Sequence, residues 1–255
     1  MHLTHVTPVE FDPDLIVRHD GSGPRYKSSP PADRFAEGPS VERYVGALDA
    51  RQAERPGAAL SLYVHLPFCD TVCYYCACNK IATKDRARAD RYLDYLEREI
   101  SLVCDHLKGR PVVSQLHLGG GTPNFLTNEQ MERLMRMLKS SFSFSEDAEC
   151  SVEVDPRRVN PGALELMAAH GFNRMSIGVQ DLDPVVQKAV NRVQPPEMTQ
   201  AVLEKGRALG YQSINLDLIY GLPKQSVATM QATLQTVLRW RPERIALYSY
   251  AHLPE

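Results

Sequence analysis

Six stretches of the chain concentrate apolar residues as β-strands do, and helical patterns separate them. Each stretch is short, rich in β-branched or aromatic residues, and followed by a loop. In chain order from Leu60 they read LSLYVHLPF, SQLHLGG, CSVEVDP, RMSIGVQ, SINLDLIYGLP and RIALYSYA. Strands that alternate with helices predict a parallel sheet with right-handed crossovers.

The intervening helices are predicted from apolar residues spaced three and four apart. One such stripe precedes the second strand and consists of Leu93, Leu96, Ile100, Val103 and Leu107. After that strand, Thr127 and Gln130 predict a capping box, and the helix behind it should turn a Met and Leu face inward: Met131, Leu134, Met135 and Leu138. Asn160 and Pro161 predict the start of a further helix and Gly171 its end, and SVATMQATLQTVLRW predicts the last.

The N-terminal part of the chain predicts an arm rather than a piece of the sheet. RHDGSGPRYKSSPPADRF is rich in Gly, Ser and Pro and should be extended. SVERYVGALDARQ predicts a short helix with Ser40 as its N-cap. The predicted domains are therefore residues 1–58, an arm with a short helix, and residues 59–255, an α/β domain.

Two architectures are compatible with the periodicity. Six strand–helix units are too few to close an eight-stranded barrel, and a doubly wound open sheet is the rival arrangement. The chain stops at AHLPE, directly after the sixth strand. Since no helix follows, we expect one bare face on that strand and a longer parent protein.

Composition and charge indicate where the protein is located and which partners it lacks, but they say little about its function. A net charge of -2 at pH 7 gives no electrostatic reason to bind nucleic acid or anionic lipid. No apolar run reaches the length of a membrane span, and the N-terminus MHLTHVTPVEFDPDL lacks the apolar core of a secretory signal. We therefore expect a soluble, cytoplasmic protein.

Four of the six cysteines fall in the segment PFCDTVCYYCACNK. Cys69, Cys73 and Cys76 have the spacing C-x3-C-x2-C, and Cys78 follows two residues later. In a reducing cytosol this grouping indicates metal ligation or catalysis. Three thiolates can bind three irons of a cubane and leave the fourth iron open to a substrate, whereas a zinc knuckle that recruits Cys78 is the alternative. The other two cysteines are interpreted as small buried apolar residues: Cys104 and Cys150.

The surroundings of the cysteines favour the open cluster. The segment follows the strand LSLYVHLPF directly, at the carboxyl end where parallel α/β folds build their sites. An aromatic residue, Tyr75, precedes the last cysteine of the trio. With these features the chain resembles the radical S-adenosylmethionine (SAM) superfamily. The resemblance implies a partial (βα)6 TIM-like barrel, a [4Fe–4S] cluster on Cys69, Cys73 and Cys76, and SAM in one or two copies.

Within that superfamily, the motifs SGPRY, YVHLPFC, QLHLGGGTP, VEVDP, FNRMSIGVQD, NLDLIYGLPKQ and YAHLP occur in an order that resembles the bacterial oxygen-independent coproporphyrinogen III oxidases, also called dehydrogenases. The resemblance implies an oxidoreductase of haem biosynthesis. Its reaction is the radical SAM oxidative decarboxylation of two propionates of coproporphyrinogen III to vinyl groups, which gives protoporphyrinogen IX. It also implies a porphyrinogen substrate, an electron donor such as flavodoxin, and a monomer that binds neither nucleic acid nor membrane.

The same resemblance assigns SAM contacts, most of them at strand ends: Tyr63, Tyr75, Gly120, Gly121, Thr122, Glu153, Gln180, Arg192, Asp217 and Ala251. It assigns catalytic positions to Tyr63, His65 and Cys78, the last as a proton or hydrogen donor. Arg25 of the arm is implied to pair with a substrate propionate. The family arm usually reads SGPRYTSYP, and this chain departs from it at Lys27 and Ser29.

Taken by themselves, several of these residues have plainer interpretations. Glu153 suits an exposed acid at a strand end, Arg192 a helix-end cation, and His65 a satisfied core histidine. The Gly119–Gly121 run suits a tight turn. Asp217 is different, because it lies inside an apolar strand and must face a partner or a polar cavity.

Three other functions remain open. A haem chaperone of the same superfamily is one, although its members generally lack a cysteine at the place of Cys78 and lack the SGPRY arm. A zinc-stabilised binding module is the second. The third is an inactive fragment that assembles the cluster but turns over poorly.

Overall fold

A computed structural model describes residues 12–19, 38 and 40–251 of the chain. It distinguishes two compact units, residues 1–46 and residues 47–255. The predicted arm, with Arg25, Lys27 and Ser29, lies outside the described residues. The predicted domain division at residue 58 stays a prediction.

The first unit holds helix α1 (Pro13–His19) and the start of helix α2 (Val41–Glu54). The sequence predicted an arm here, with no helix before the one capped by Ser40, so α1 was missed. The Asp12 carboxylate accepts a hydrogen bond from the Leu15 N–H at 3.0 Å, and Pro13 occupies the first helical position. This local capping starts a helical turn without an apolar stripe. The Ser40 cap is confirmed, since its Oγ accepts from the Arg43 N–H at 3.4 Å.

The second unit is an α/β fold in which strands and helices alternate. Its further elements are β1 (Leu60–Leu66), β2 (Phe68–Cys69), β3 (Ile81–Ala82), α3 (Ala87–Leu107), β4 (Val112–Gly120), α4 (Asn128–Ser141), β5 (Ser143–Val154), α5 (Ala163–Ala169), β6 (Arg174–Gln180), α6 (Pro184–Ala189), α7 (Pro196–Ala208), β7 (Ser213–Tyr220), α8 (Val227–Trp240) and β8 (Arg244–Ser249). Each of the six predicted strands is present in this series.

Six strands form one parallel sheet in the order β1-β4-β5-β6-β7-β8. The order is sequential, whereas a doubly wound sheet reverses its strand order at a switch point. Right-handed crossovers in a sequential sheet place the helices on a single side. The architecture is therefore that of a partial (βα)6 barrel, as the resemblance implied, and the doubly wound alternative is wrong.

The two faces of the sheet differ in polarity. One buried row runs across adjacent strands in register through Val64, Leu118, Val152, Met175 and Ile214. This face packs beneath the helices in the main hydrophobic core. The opposite face carries polar residues in the neighbouring register, among them Tyr63, His117 and Ser151. Alternation along each strand thus points a polar lining away from the helices.

The helices follow the predicted patterns with one correction. In α3, the stripe is buried at Leu93, Ile100 and Leu107. In α4, the predicted capping box is present, and the inward Met and Leu face is buried as predicted. Helix α5 begins later than predicted, because Gly162 in the left-handed region (φ 76) is its N-cap and a turn occupies the Asn-Pro pair before it. Gly171, with φ 98, ends that helix as predicted.

The last strand exposes apolar side chains. Ile245 and Leu247 continue the helix-side face in register with Leu216 and Leu218, yet they are 39% and 51% exposed. The predicted bare face on this strand is confirmed. No helix within the described ranges combines the length and apolarity that a bilayer crossing requires.

Candidate active site

The clustered cysteines lie on a loop that is held at both ends. At its start, Phe68–Cys69 (β2) pairs in parallel with Ile81–Ala82 (β3) at its end. The Ile81 N–H also donates to the Pro67 carbonyl at 2.7 Å, and the Thr83 N–H donates to the Cys69 carbonyl at 2.8 Å. Since β2 follows β1 directly after Pro67, the loop lies at the carboxyl end of the sheet. The predicted position of the loop is confirmed.

Four cysteines open into one cleft of about 230 Å³, here called the cysteine cleft. Cys69 and Cys73 are buried, Cys76 is half-buried, Cys78 is exposed, and all four are free thiols. Other residues of the cleft come from the cysteine loop itself, from β4 to β8, and from the loops after β4, β5 and β6. Those used below are Gly120, Gly121, Thr122, Glu153, Asp155, Arg157, Ser176, Gln180, Arg192 and Asp217.

Cys76 and Cys78 interact directly. The hydrogen bond from the Cys78 thiol is the main cause that lowers the pKa of Cys76, against the effect of burial. The same hydrogen bond is the main cause that raises the pKa of Cys78. The Lys80 ammonium donates to the Cys76 carbonyl at 2.8 Å and adds positive charge nearby. Cys76 is therefore favoured as a thiolate, the form in which cysteine binds metals.

Cys69 lies under the turn that follows β4. Burial raises the pKa of its thiol, and the Thr122 hydroxyl, 3.4 Å from the sulfur, opposes that shift. Gly120 has a φ of 120, and a Cβ there would stand 2.9 Å from the Leu66 backbone. A Cβ at Gly121 would stand 2.9 Å from the Cys69 sulfur. The turn therefore needs glycine to approach the cysteine loop this closely.

Cys73 lies beside two arginines. Arg192 Nη1 is 3.7 Å and Arg157 Nη2 is 3.8 Å from its sulfur. Asp155 stands with them, accepting from Arg157 Nη2 at 2.6 Å and pairing with Arg192 at 3.5 Å. Burial opposes ionisation of Asp155, but the arginines outweigh it and hold its pKa below the usual value. Arg192 also donates to the Gly178 carbonyl at 2.8 Å, so it is a buried cleft residue rather than an exposed helix-end cation.

Sequence reasoning did not identify Asp155 or Arg157 as residues of the site. Both follow Glu153 at the carboxyl end of a central parallel strand, the place where such folds collect polar residues. Their position after this strand was the sequence feature that could have identified them as site residues. The pairing itself depends on Cys73 and Arg192, which are remote in the sequence, so local pattern does not reveal it.

A second carboxylate of the cleft, Asp217, has neutral partners. Ser176 Oγ donates to it at 3.0 Å and Asn215 Nδ2 donates at 2.7 Å. Burial raises the pKa of Asp217 to about 6, although both hydrogen bonds oppose the shift and the charge of Glu153 adds to it. The prediction that Asp217 faces a polar cavity is confirmed. Glu153 itself is half-exposed and lies 3.3 Å from His117 Nε2.

Tyr75 and Gln180 complete the wall of the cysteine cleft. Tyr75 packs against the small apolar cluster of Val186, Val190 and Leu222. Burial raises its pKa, so the ring stays a neutral, largely apolar surface. Gln180 has a φ of 70, in the left-handed region that a non-glycine residue seldom adopts. Backbone strain of this kind is concentrated at functional sites.

Tyr63 and His65 lie outside the residues that line the cysteine cleft, on the polar face of β1. The Tyr63 hydroxyl is 3.0 Å from His65 Nδ1, and His65 Nε2 is 2.8 Å from the Asn79 carbonyl of the cysteine loop. Both ring nitrogens of His65 therefore have partners. Tyr63 also stacks on His117, with ring centroids 5.7 Å apart.

Ala251 is exposed at the end of the described chain and is not among the cleft-lining residues. Nine of the ten predicted SAM contacts belong to segments at the carboxyl edge of the sheet or to the polar face of β1, and eight of them line the cleft. The exceptions to the lining are Tyr63 and Ala251. The roles assigned to all these residues stay predictions.

The chemistry of the donors fits an iron–sulfur cluster. Three thiols from one loop share a cleft, and guanidinium or hydroxyl groups lie within hydrogen-bonding distance of the sulfurs of Cys69 and Cys73. Arg192 Nε is buried and finds no acceptor among the described residues. In the described part of the chain, no group of three His, Cys, Asp or Glu side chains is arranged around one metal-ion position. A cubane cluster does not require its ligands to surround one position, because each thiolate binds a different iron.

Comparison with known proteins agrees with this geometry. The family model of the radical SAM superfamily matches residues 63–237. The oxygen-independent coproporphyrinogen III oxidase of Pseudomonas aeruginosa is 49% identical over 249 residues, which cover 97% of this chain and 54% of the relative. The oxidase of Escherichia coli K12 is 47% identical, with 98% and 53% covered. The chain thus spans about half the length of the curated relatives it matches.

Solved structures show the same likeness. Coproporphyrinogen III oxidase (HemN) from Escherichia coli, described as a radical SAM enzyme, superposes with a TM-score of 0.85 at 44% identity, over 96% of this chain and 54% of that one. The radical SAM methyltransferase TsrM from Kitasatospora setae is 13% identical with a TM-score of 0.52, over 75% and 34%, and shares the fold alone.

The chain belongs to the radical SAM superfamily. The family match covers most of its length, and it includes the cysteine loop and the barrel from within β1 to within α8. Within the superfamily, it is similar to the oxygen-independent coproporphyrinogen III oxidases over nearly its whole length. The resemblance predicted from the sequence is confirmed.

Proposed function

We propose that this chain is the radical-generating part of an oxygen-independent coproporphyrinogen III dehydrogenase, an oxidoreductase of haem biosynthesis. The observation that carries the proposal is the cysteine cleft, which brings three closely spaced thiols together with polar residues from four parallel strands. Relatives of the named activity align with 97% of the chain. The substrate class is coproporphyrinogen III, and the reaction is oxidative decarboxylation of its propionates to vinyl groups.

Cys69, Cys73 and Cys76 would hold a [4Fe–4S] cluster. When bound, the cluster supplies the electron for reductive cleavage of the sulfonium of SAM. Cys78 and Lys80 favour the thiolate of Cys76, and two arginines place positive charge beside the sulfur of Cys73. The Tyr75 ring and its apolar neighbours exclude water from one side of the cleft.

SAM carries an ammonium, a carboxylate and ribose hydroxyls, and the cleft offers complementary groups. Glu153 and Asp217 supply acceptors for the ammonium and the hydroxyls. Arg192 supplies a buried cation with a free Nε–H for a carboxylate. The backbone of Gly120 and Gly121 gives close approach without a side chain.

The remaining assignments belong to the same proposal. Thr122, Gln180, Tyr63 and Ala251 contact SAM, and Tyr63, His65 and Cys78 act at the reacting propionate. The hydrogen bond between Tyr63 and His65 supports a joint role, since it holds both polar groups on the polar face of β1. The protein acts in the cytoplasm as a monomer and takes electrons from a small low-potential donor such as flavodoxin.

Anaerobic reconstitution with iron and sulfide tests the proposal. We expect about four irons per chain, a brown product, and release of 5′-deoxyadenosine from SAM when dithionite is added. Cys69→Ser, Cys73→Ser and Cys76→Ser should each abolish both the brown colour and the nucleoside. Cys104→Ser is the matched control, because Cys104 is a half-buried cysteine of α3 that does not line the cleft.

Three results would contradict the proposal. A colourless chain that binds one zinc after anaerobic reconstitution would indicate the binding module. Tight haem binding without any vinyl product from coproporphyrinogen III would indicate the chaperone. Brown protein that never forms 5′-deoxyadenosine would show that the cluster does not serve SAM cleavage.

A further inference from the structure

The three proposed ligand sulfurs have unequal surroundings. The sulfur of Cys69 lies 3.4 Å from a neutral hydroxyl, and that of Cys76 meets the thiol of Cys78. The sulfur of Cys73 instead lies within 3.8 Å of two guanidinium groups. Of the three sulfurs, that of Cys73 therefore has two guanidinium groups beside it, whereas Cys76 has the single ammonium of Lys80 nearby.

Arg157 is held rigidly in this position. Its Nε donates to Asp155 Oδ1 at 2.9 Å and its Nη2 donates to Asp155 Oδ2 at 2.6 Å, which is a two-point pairing. The Asp155 backbone is fixed in turn by the buried Asn124 side chain, which donates to its carbonyl and accepts from its N–H, both at 2.9 Å. The guanidinium is thus oriented before any ligand arrives.

The charges around Cys73 do not cancel. Arg157 and Arg192 are cations and Asp155 is the one anion of the trio, so one net positive charge lies against the sulfur. Asp155 and Arg192 are 9% and 7% exposed, so solvent screens this charge weakly. Net charge and hydrogen bonds to the ligand sulfurs are among the factors that set the reduction potential of an iron–sulfur cluster.

We propose that Arg157, oriented by Asp155, is a positioning residue that raises the reduction potential of the cluster through its contact with Cys73. The inference rests on the proposed function, because it needs the cluster on Cys69, Cys73 and Cys76. The redox step is the transfer of one electron from a low-potential one-electron reductant to one cluster, and no bond forms or breaks. The added negative charge is stabilised by the adjacent guanidinium.

The test is a potentiometric titration of the full chain, reconstituted anaerobically and reduced with dithionite in the presence of mediators and without SAM. For Arg157→Gln we expect about a tenfold lower ratio of reduced to oxidised cluster at a fixed potential, which is about 59 mV for one electron. For Asp155→Asn we expect a shift in the opposite direction, because the compensating anion is lost while the asparagine oxygen still accepts a hydrogen bond from Arg157. Spectra of the reduced cluster report both ratios independently of turnover.

Arg158→Gln is the matched control. It removes the same charge from the next residue, whose guanidinium pairs with Asp70 at 2.9 Å and is not bonded to Cys73. We expect a change of less than about twofold in the same ratio, because the group is more exposed and more strongly screened. An equal shift in Arg157→Gln and Arg158→Gln would overturn the role of the sulfur contact.

The outcomes separate the two proposals. If the unaltered chain assembles no cluster, the proposed function fails first. If it assembles one and Arg157→Gln titrates like the unaltered chain, the role of Arg157 is wrong while the function stands. If Arg157→Gln takes up no iron, Asp155→Asn decides: a higher reduced fraction supports the inference, and an unchanged or lower one overturns it.

Discussion

Asp155 and Asp217 line the same cleft near the carboxyl ends of two parallel strands, and the protein treats them in opposite ways. Asp155 is clamped by two arginines, and its pKa lies below the usual value. Asp217 receives hydrogen bonds only from Ser176 and Asn215 among its described partners, and burial raises its pKa to about 6. Burial raises the pKa of both carboxylates, so the hydrogen-bond and ion-pair partners decide whether the net shift in pKa is upward or downward.

The difference separates a structural ion pair from a group available for binding. The negative charge of Asp155 is already compensated by Arg157 and Arg192, so the ionised carboxylate stabilises the folded chain. Ionised Asp217 is incompletely compensated, so a cationic or hydroxyl-bearing ligand would relieve it. The cleft therefore has two unlike sides. The carboxylate that can still accept hydrogen bonds from a ligand, Asp217, lies on the β7 side.

The largest expected effect comes from removing the compensated carboxylate. Asp155→Ala leaves two buried guanidinium groups unpaired, so we expect a loss of about 3–5 kcal/mol in the free energy of unfolding at pH 7.5. Urea unfolding of the metal-free chain measures it. Asp94→Ala is the control, since Asp94 pairs with Arg133 at 2.7 Å but its side chain is 59% exposed, and its loss should cost less than about 1 kcal/mol. Similar losses of unfolding free energy in both variants would contradict the view that the buried Asp155 pairs matter more than an exposed ion pair.

Asp217→Asn should act in the other direction. The pKa of Asp217 is raised from 3.8 to about 6 in the folded chain, so its contribution to stability is complete below 3.8 and is lost as pH rises through 6. We therefore expect the variant to be more stable than the parent by about 2 kcal/mol at pH 8 and to show no gain at pH 4. Urea unfolding at both pH values checks this. A variant that is less stable at pH 8 would mean that the ionised carboxylate is well compensated.

A smaller effect is expected at Asn215, which donates to Asp217 at 2.7 Å and to Ser176 at 2.8 Å. Asn215→Ala removes one of the bonds that oppose the raised pKa of Asp217, so stability at pH 8 should fall by about 1 kcal/mol. The same change made in Asp217→Asn should cost less, because no charge remains to be stabilised. A double-mutant cycle measured by urea unfolding decides; equal costs in both backgrounds would exclude coupling between the two residues.

The strands and most helices could be predicted because their signals are local. Apolar runs such as LSLYVHLPF need no information from elsewhere in the chain, and the Thr127–Gln130 capping box is complete within four residues. The cysteine spacing is likewise local, which is why the proposed ligand loop was placed correctly. Helix α1 was missed because its signal is a cap without an apolar stripe, and α5 starts late because Gly162 adopts a left-handed conformation.

The arrangement around Cys73 could not be predicted from local pattern. Arg157 lies 84 residues and Arg192 119 residues from the cysteine they approach. Asp155 precedes a proline and therefore looks like an ordinary turn residue in the sequence. Only the packing of β5 and the segment after α6 against the cysteine loop brings these charges together. Arg192 and Asp217 were named through the family resemblance, and the residues that determine their electrostatics were not.

The pairing of β2 with β3 affects what happens to the cysteine loop when the metal is lost. Because both ends of the loop are hydrogen-bonded into the fold, closing the loop belongs to folding and not to metal uptake. Many small metal domains lose their shape with their metal, since binding and folding are one event. Here we expect the scaffold to persist when the iron is lost, so that the proposed cluster site can be refilled without refolding.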